Sequence, residues 1–438
     1  MHKPVDRKKI GLWPSTSLVV GNMTGSGIFL LPASLAIYGG ISVFGWVFTM
    51  VGSLFLALVF SRLSRIFTKS GGPFTYTREG FGDFAGFLVA WGYWISTWCG
   101  NAAISVAGVG YLSFFIPALK EHRILSAGVA IGAIWLFTYI NTKSIRKVGM
   151  VQLVTTVLKI LPLVLFGTIG FLHFNPAHFS PLNLSGEPAF DALTTTAALT
   201  LWAFLGLESA TIPSEQVKDP SRTIPRATIL GIVVTALLFI SSTVAIMGIM
   251  SPADLQQSAA PFADAAQLIW GNFASALVAA GAAIACFGAL NGWILIQGQI
   301  PMAAAREKLF PPAFKKVTGK GVPVPGLVIS SVLATVLVGF NYTRGLVEMF
   351  SFIIMLSTLS CLLPYLFSSL VEVSLCMRQR IPCKRKGLIT AGAIALPAFL
   401  YAAWAITGLE SEVLLWGAIL LSAGIPVFAY SKYLSKKP

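Results

Sequence analysis

Apolar stretches of about 20 residues recur along the whole chain, and no other feature constrains its fold so strongly. A helix of that length crosses the hydrocarbon of a bilayer, where the backbone has to satisfy its own hydrogen bonds. Twelve spans are expected, at about 11–38, 41–66, 84–116, 125–142, 148–172, 191–216, 226–250, 274–305, 325–341, 346–373, 388–408 and 412–431. A membrane barrel would show short alternating segments instead, and none are visible. Composition agrees: of 438 residues 55% are hydrophobic and 11% charged, too little polar surface for a soluble domain. The expected fold class is an all-α polytopic membrane protein, a single transmembrane domain over 1–438.

The formal charge of +15 is a topology signal. With a cytoplasmic N-terminus, 27 of the 31 Lys and Arg fall in the inner segments. The outer loops hold only Lys120, Arg123 and Arg344, and Lys159 lies within a span. That bias places both termini in the cytoplasm and requires an even number of spans. A nucleic-acid partner is not needed to explain the basicity. The basic start MHKPVDRKKIGLW leads into a span longer than a signal core, so no cleavable signal is expected.

Several function classes lack their motifs. There is no phosphate-cradling GxxxxGK[ST], no metal-spaced His/Cys cluster and no arginine ladder, and the chain has four His. No catalytic residues, metal or cofactor are expected. Five cysteines, odd in number and in or beside apolar spans, do not suggest a disulfide framework.

Two spans are interrupted. Residues 21–27, GNMTGSG, put six weak helix formers in seven positions of span 1, and span 6 is broken in LWAFLGLESATIPS (201–214). The breaks lie five spans apart, so the two halves would be inverted repeats, about 11–172 and 191–373, with additional helices at about 388–431. Paired interrupted helices point to the binding site of a secondary transporter. Glycine lets the backbone unwind and a ligand approach it. The N–H groups near Ser26 to Ile28 would face a carboxylate, and carbonyls near Phe204 to Gly206 would accept from an ammonium. The alternative for Gly21-xxx-Gly25 is a small-xxx-small helix contact.

Polar and aromatic groups at membrane depth add to this reading. Glu208 is the one acid deep in an apolar span, where a lone charged carboxylate is costly; proton uptake and a structural hydrogen-bonded role are the two readings. Lys159, with about ten apolar residues on either side, could bond carbonyls of a broken helix in place of a sodium ion, or snorkel to an interface. Trp202 and Trp293 lie mid-span, away from the interfacial belt. They are either core packing or an aromatic wall for a ligand.

GNMTGSGIFLLPASLA, GGPFTYTREGFG, YWISTWCGN, TLWAFLGLESA, VKDPSRTIPRAT and APFADAA together resemble the amino acid–polyamine–organocation (APC) transporters. The basic amino acid/polyamine antiporter branch is the most similar, and the resemblance covers nearly the whole chain. It implies the leucine-transporter fold of two inverted five-helix repeats plus two helices, with alternating access and no cofactor. By this resemblance Asn22, Met23, Ser26 and Gly27 hold the substrate carboxylate, and the backbone beside Trp202 and Leu205 receives the α-ammonium. Trp293 matches an aromatic that stacks on a guanidinium, and Asn101 and Ser357 match polar pocket groups. Tyr93, Glu208 and Tyr365 match gating and coupling residues. Ser96, Thr97 and Ile104 stand where the arginine/agmatine antiporter has Ala, Cys and Met. Phe74 replaces a tyrosine linked there to pH sensing. Lys159 is shared with proton-coupled members rather than with that antiporter.

The function expected is sodium-independent exchange of a basic amino acid for another amino acid or its amine product, in a bacterial inner membrane. A proton-coupled symporter and a sensor that has lost transport are the alternatives. Expected partners are the amino acid or amine, protons if transport is coupled to them, and membrane lipids. The antiporter branch suggests a homodimer.

Overall fold

The computed structural model describes residues 11–25, 27–67, 72–143, 159–208, 217–319 and 321–436. Ser26, most of the loop and first half of expected span 5, and residues 209–216 of expected span 6 lie outside them. The helices that matter for the site are α1 (Leu12–Met23), α2 (Gly27–Ala36), α3 (Ser42–Ile66), α4 (Pro73–Phe81), α5 (Asp83–Leu112), α6 (Arg123–Lys143) and α7 (Lys159–His173). They continue with α8 (Ala189–Leu201), α9 (Pro220–Ile249), α10 (Pro261–Arg306), α11 (Val324–Phe340), α12 (Leu346–Met377), α13 (Arg385–Thr407), α14 (Ser411–Ser422) and α15 (Gly424–Lys436).

Among the described residues, seven helices are long and apolar enough to cross a membrane, or eight if α1 and α2 form one bent span. Helix α11 is apolar but shorter, and so is the described part of α7. Helix α5, 30 residues long, is not among the seven; its Trp, Tyr, Gly, Ser and Asn dilute the hydropathy because most of its surface faces protein. Helix α10 starts well before expected span 8, since a non-helical Gly271 joins a short leading helix to the span.

The core is built around α5, which packs against α12 and α10 along most of its length. Helix α3 packs against α9, α8 and α13, and α1 lies along α9. Outward-facing apolar side chains are numerous: Phe273, Leu172 and Phe340 are each more than three-quarters exposed. In water such a surface would aggregate; in a bilayer it is the lipid-facing wall.

Both expected interruptions are present. Helix α1 ends at Met23, with the Thr24 and Gly25 N–H groups turned back onto the Val20 and Met23 carbonyls. Helix α2 restarts at Gly27, inclined by 45°. Helix α8 tightens into a 3₁₀ turn over Trp202–Phe204 and then unwinds: Leu205 is extended, and Gly206 has φ +97°. That angle is readily taken only by glycine.

One detail departs from the sequence reading. Cys376 and Cys383 form a disulfide with Cα atoms 5.5 Å apart, because the chain leaving α12 folds back within seven residues through a positive-φ Gln379. Cys99, Cys286 and Cys361 are buried and outside the disulfide. Near the end of α12, Glu372 forms a two-bonded ion pair with Arg62 at 2.6 Å that ties α12 to α3.

Candidate functional site

The two breaks touch. A Cβ on Gly206 would sit 3.5 Å from the Asn22 Cβ. A Cβ on Gly27 would lie 1.2 Å from Trp202 Cζ3, so the indole occupies the space that a side chain there would need. The sequence places glycine where each broken helix must admit the other.

Beside this junction is a cavity of about 50 Å³. Asn22, Met23 and Gly25 line it from the first break, and Trp202, Leu205 and Gly206 from the second. Helix α5 contributes Tyr93, Ser96, Thr97, Gly100 and Ile104, α10 contributes Trp293, and α12 contributes Ser357 and Cys361. Among the described residues, no charged side chain is in its wall. Ten of the expected site residues therefore meet at one place. Gly25 and Gly206 belong to the two breaks, whereas Gly100 and Cys361 carried no signal in the sequence: small apolar residues in an apolar helix do not reveal the face they occupy.

The hydroxyls are oriented. Thr97 Oγ1 donates to the Tyr93 carbonyl at 2.7 Å, and Ser357 Oγ donates to the Ser96 carbonyl at 2.8 Å. The Ser96 and Ser357 hydroxyls are 3.1 Å apart. With Ser96 donating in that contact, all three protons are engaged within the protein, and the hydroxyls offer a ligand lone pairs. Trp202 packs edge-on against Phe350, with centroids 5.6 Å apart, and Trp293 supplies a second aromatic wall. Oxygen acceptors and π faces without a fixed charge suit a cation that brings its own donors.

Glu208 is fully buried just outside the cavity. It accepts from the Tyr93 hydroxyl at 2.6 Å and from Tyr365 at 3.1 Å. Tyr93 thus joins cavity to carboxylate, and Tyr365, fully buried, joins carboxylate to α12. Lys159, on α7, is 1% exposed; among the described residues it has no carboxylate partner. Asn101 does not line the cavity. Its Nδ2 donates to Gln297 Oε1 at 2.7 Å, and Gln297 donates to Ser331 Oγ at 3.0 Å. Gln297 went unnoticed in the sequence, although a glutamine in the apolar run WILIQGQI was the available signal.

The amino acid permease family model matches residues 10–425. The chain belongs to that family. Similar proteins include the cadaverine/lysine antiporter of Escherichia coli (strain K12), 36% identical over 371 residues covering 82% of each chain. The putrescine transporter PotE of the same strain is 31% identical over 418 residues, 95% of this chain and 94% of its own. Its namesake from Haemophilus influenzae is 31% identical over 97% of both chains. The permease is accordingly a multi-pass membrane protein, and the family and these relatives are transporters rather than enzymes.

Proposed function

We propose that this permease is a sodium-independent antiporter of a bacterial inner membrane, exchanging a basic amino acid for another amino acid or its amine product. The observation that carries the proposal is the cavity at the meeting of the two breaks, with Trp293 in its wall and no charged side chain among the described residues that line it. In this reading the chain has twelve spans in the leucine-transporter arrangement, with both termini cytoplasmic. The N–H groups opening α2, with Asn22, Met23, Ser26 and Gly27, hold the α-carboxylate; the unwound backbone by Trp202 and Leu205 takes the α-ammonium. Trp293, Ser96, Thr97, Ile104, Ser357 and Asn101 set the side-chain preference, Asn101 after exchanging its Gln297 partner. Tyr93, Glu208 and Tyr365 gate the site. The names of the relatives, a cadaverine/lysine antiporter and putrescine transporters, favour a cationic cargo.

Proton-coupled symport is the second reading, favoured by the burial of Glu208 and Lys159. Purified protein in liposomes separates the two. Exchange predicts uptake of labelled arginine or lysine only when amino acid or amine is loaded inside, with the same rate in sodium and in choline buffers. Uptake into empty vesicles driven by a proton gradient establishes symport instead, and a sodium requirement overturns the proposal. Binding without movement of label identifies a sensor.

A further inference from the structure

A second and much larger cavity, about 600 Å³, opens at the other end of α2 and at the start of α12. Its wall includes Lys120, Gln257, Arg344, Glu348, Phe352 and Glu410. Inside it the protein already holds a cation in a defined cage. The Arg344 guanidinium lies 4.4 Å from the centre of the Phe352 ring, 2.6 Å from Glu412 and 3.8 Å from Glu348. Glu348 is loosely engaged and largely exposed, and Glu410 has no ion-pair partner among the described residues. An aromatic face flanked by carboxylates is the arrangement that binds organic cations. The volume free with Arg344 in place falls within the range of small-ligand pockets. Lys120 offers a carboxylate group of the same ligand a partner.

The cavity also stands in line with the central site. Helix α2 runs from the first break at Gly27 to Ala36, next to Ile37 in the vestibule wall, a distance of about 15 Å at helical rise. On α12, Phe352 faces the vestibule, while Phe350, two residues earlier, packs on Trp202. Ser351 of α12 donates to Ser34 of α2 at 2.8 Å, pinning the two helices together there. One helical turn therefore serves both cavities.

We propose that this vestibule is a second binding site, where a basic amino acid or diamine waits with its cationic group between Glu348 and Glu410 before reaching the central cavity. The choice of ligand class rests on the proposed function above. Two thiols in one molecule test it: a Gln257→Cys reporter in the vestibule, and the native Cys361 in the central cavity. Labelling of each by a neutral maleimide is followed by peptide mass spectrometry, with arginine, putrescine or sodium chloride added at equal ionic strength. Arginine or putrescine should slow labelling of Gln257→Cys, with or without Trp293→Ala, and sodium chloride should not. Glu348→Gln combined with Glu410→Gln should abolish that protection. Arg344→Gln, which frees the cage, should lower the protecting concentration by about threefold, the worth of a partly exposed cation–π contact. Protection at Cys361 alone overturns the vestibule site and leaves the transport reading standing. Protection at neither thiol overturns the vestibule site, and equal protection by sodium chloride reduces the effect to screening and overturns it as well; the liposome exchange assay decides the transport reading separately.

Discussion

In the proposed reading, Trp293 is the single residue that does most to set substrate preference. If its face carries a cation, Trp293→Ala should weaken a basic amino acid by about 1–2 kcal/mol, roughly five- to thirtyfold, in a desolvated site. Neutral amino acids should be much less affected. Competition binding with arginine against an uncharged amino acid measures the difference, and equal losses would remove the stacking role. Lys159 is the second such residue. Buried without an acidic partner among the described residues, it is expected to serve the broken helices, so Lys159→Ala should abolish or uncouple exchange. Liposome exchange with an unchanged pH profile would show the lysine to be structural. Both residues were visible in the sequence because aromatic or charged groups at mid-membrane depth need a reason to be there. Asn101 shows where that logic stops. Sequence places its Cα on the correct helix, but whether the amide turns to the cavity or to Gln297 depends on a neighbour 196 positions away. Cys361 and Gly100 were illegible for the opposite reason: they look like any small buried residue.

At the scale of elements, the two helix breaks behave as one device. Their existence and location were readable from GNMTGSG and LWAFLGLESA, since glycine and polar residues clustered in apolar runs are costly unless the backbone unwinds there. What could not be read is that the breaks interlock, because the fit of Trp202 over Gly27 joins residues far apart in the chain. The interlock makes a paired prediction. Gly27→Ala should drive the indole out of place, lowering the thermal unfolding midpoint and exchange activity together. Adding Trp202→Leu should recover part of the lost stability, since the cause is a clash with one side chain. A double variant no more stable than Gly27→Ala alone would mean that the helix restart, rather than the ring, is what alanine disturbs.

At the scale of the whole molecule, the lipid-facing wall, the dense α5-centred core and the polar contacts that cross it divide the work of insulating a membrane from that of moving cargo through it. The apolar runs announced the first. The second needed coordinates, because α5 is too rich in Trp, Tyr and Gly to look like a spanning helix of the usual kind. The central cavity has a consequence of its own. About 50 Å³ holds at most a few water molecules, and among the described residues its wall is made of aromatic rings, hydrogen-bonded hydroxyls and small groups without a charged side chain. A handful of waters cannot form a continuous wire from one side to the other. The unloaded carrier should therefore be an electrical insulator: liposomes packed with it should hold a potassium diffusion potential, read by a voltage-sensitive dye, as long as protein-free ones do. A rapid decay without cargo would mean that the resting protein visits a hydrated, open path.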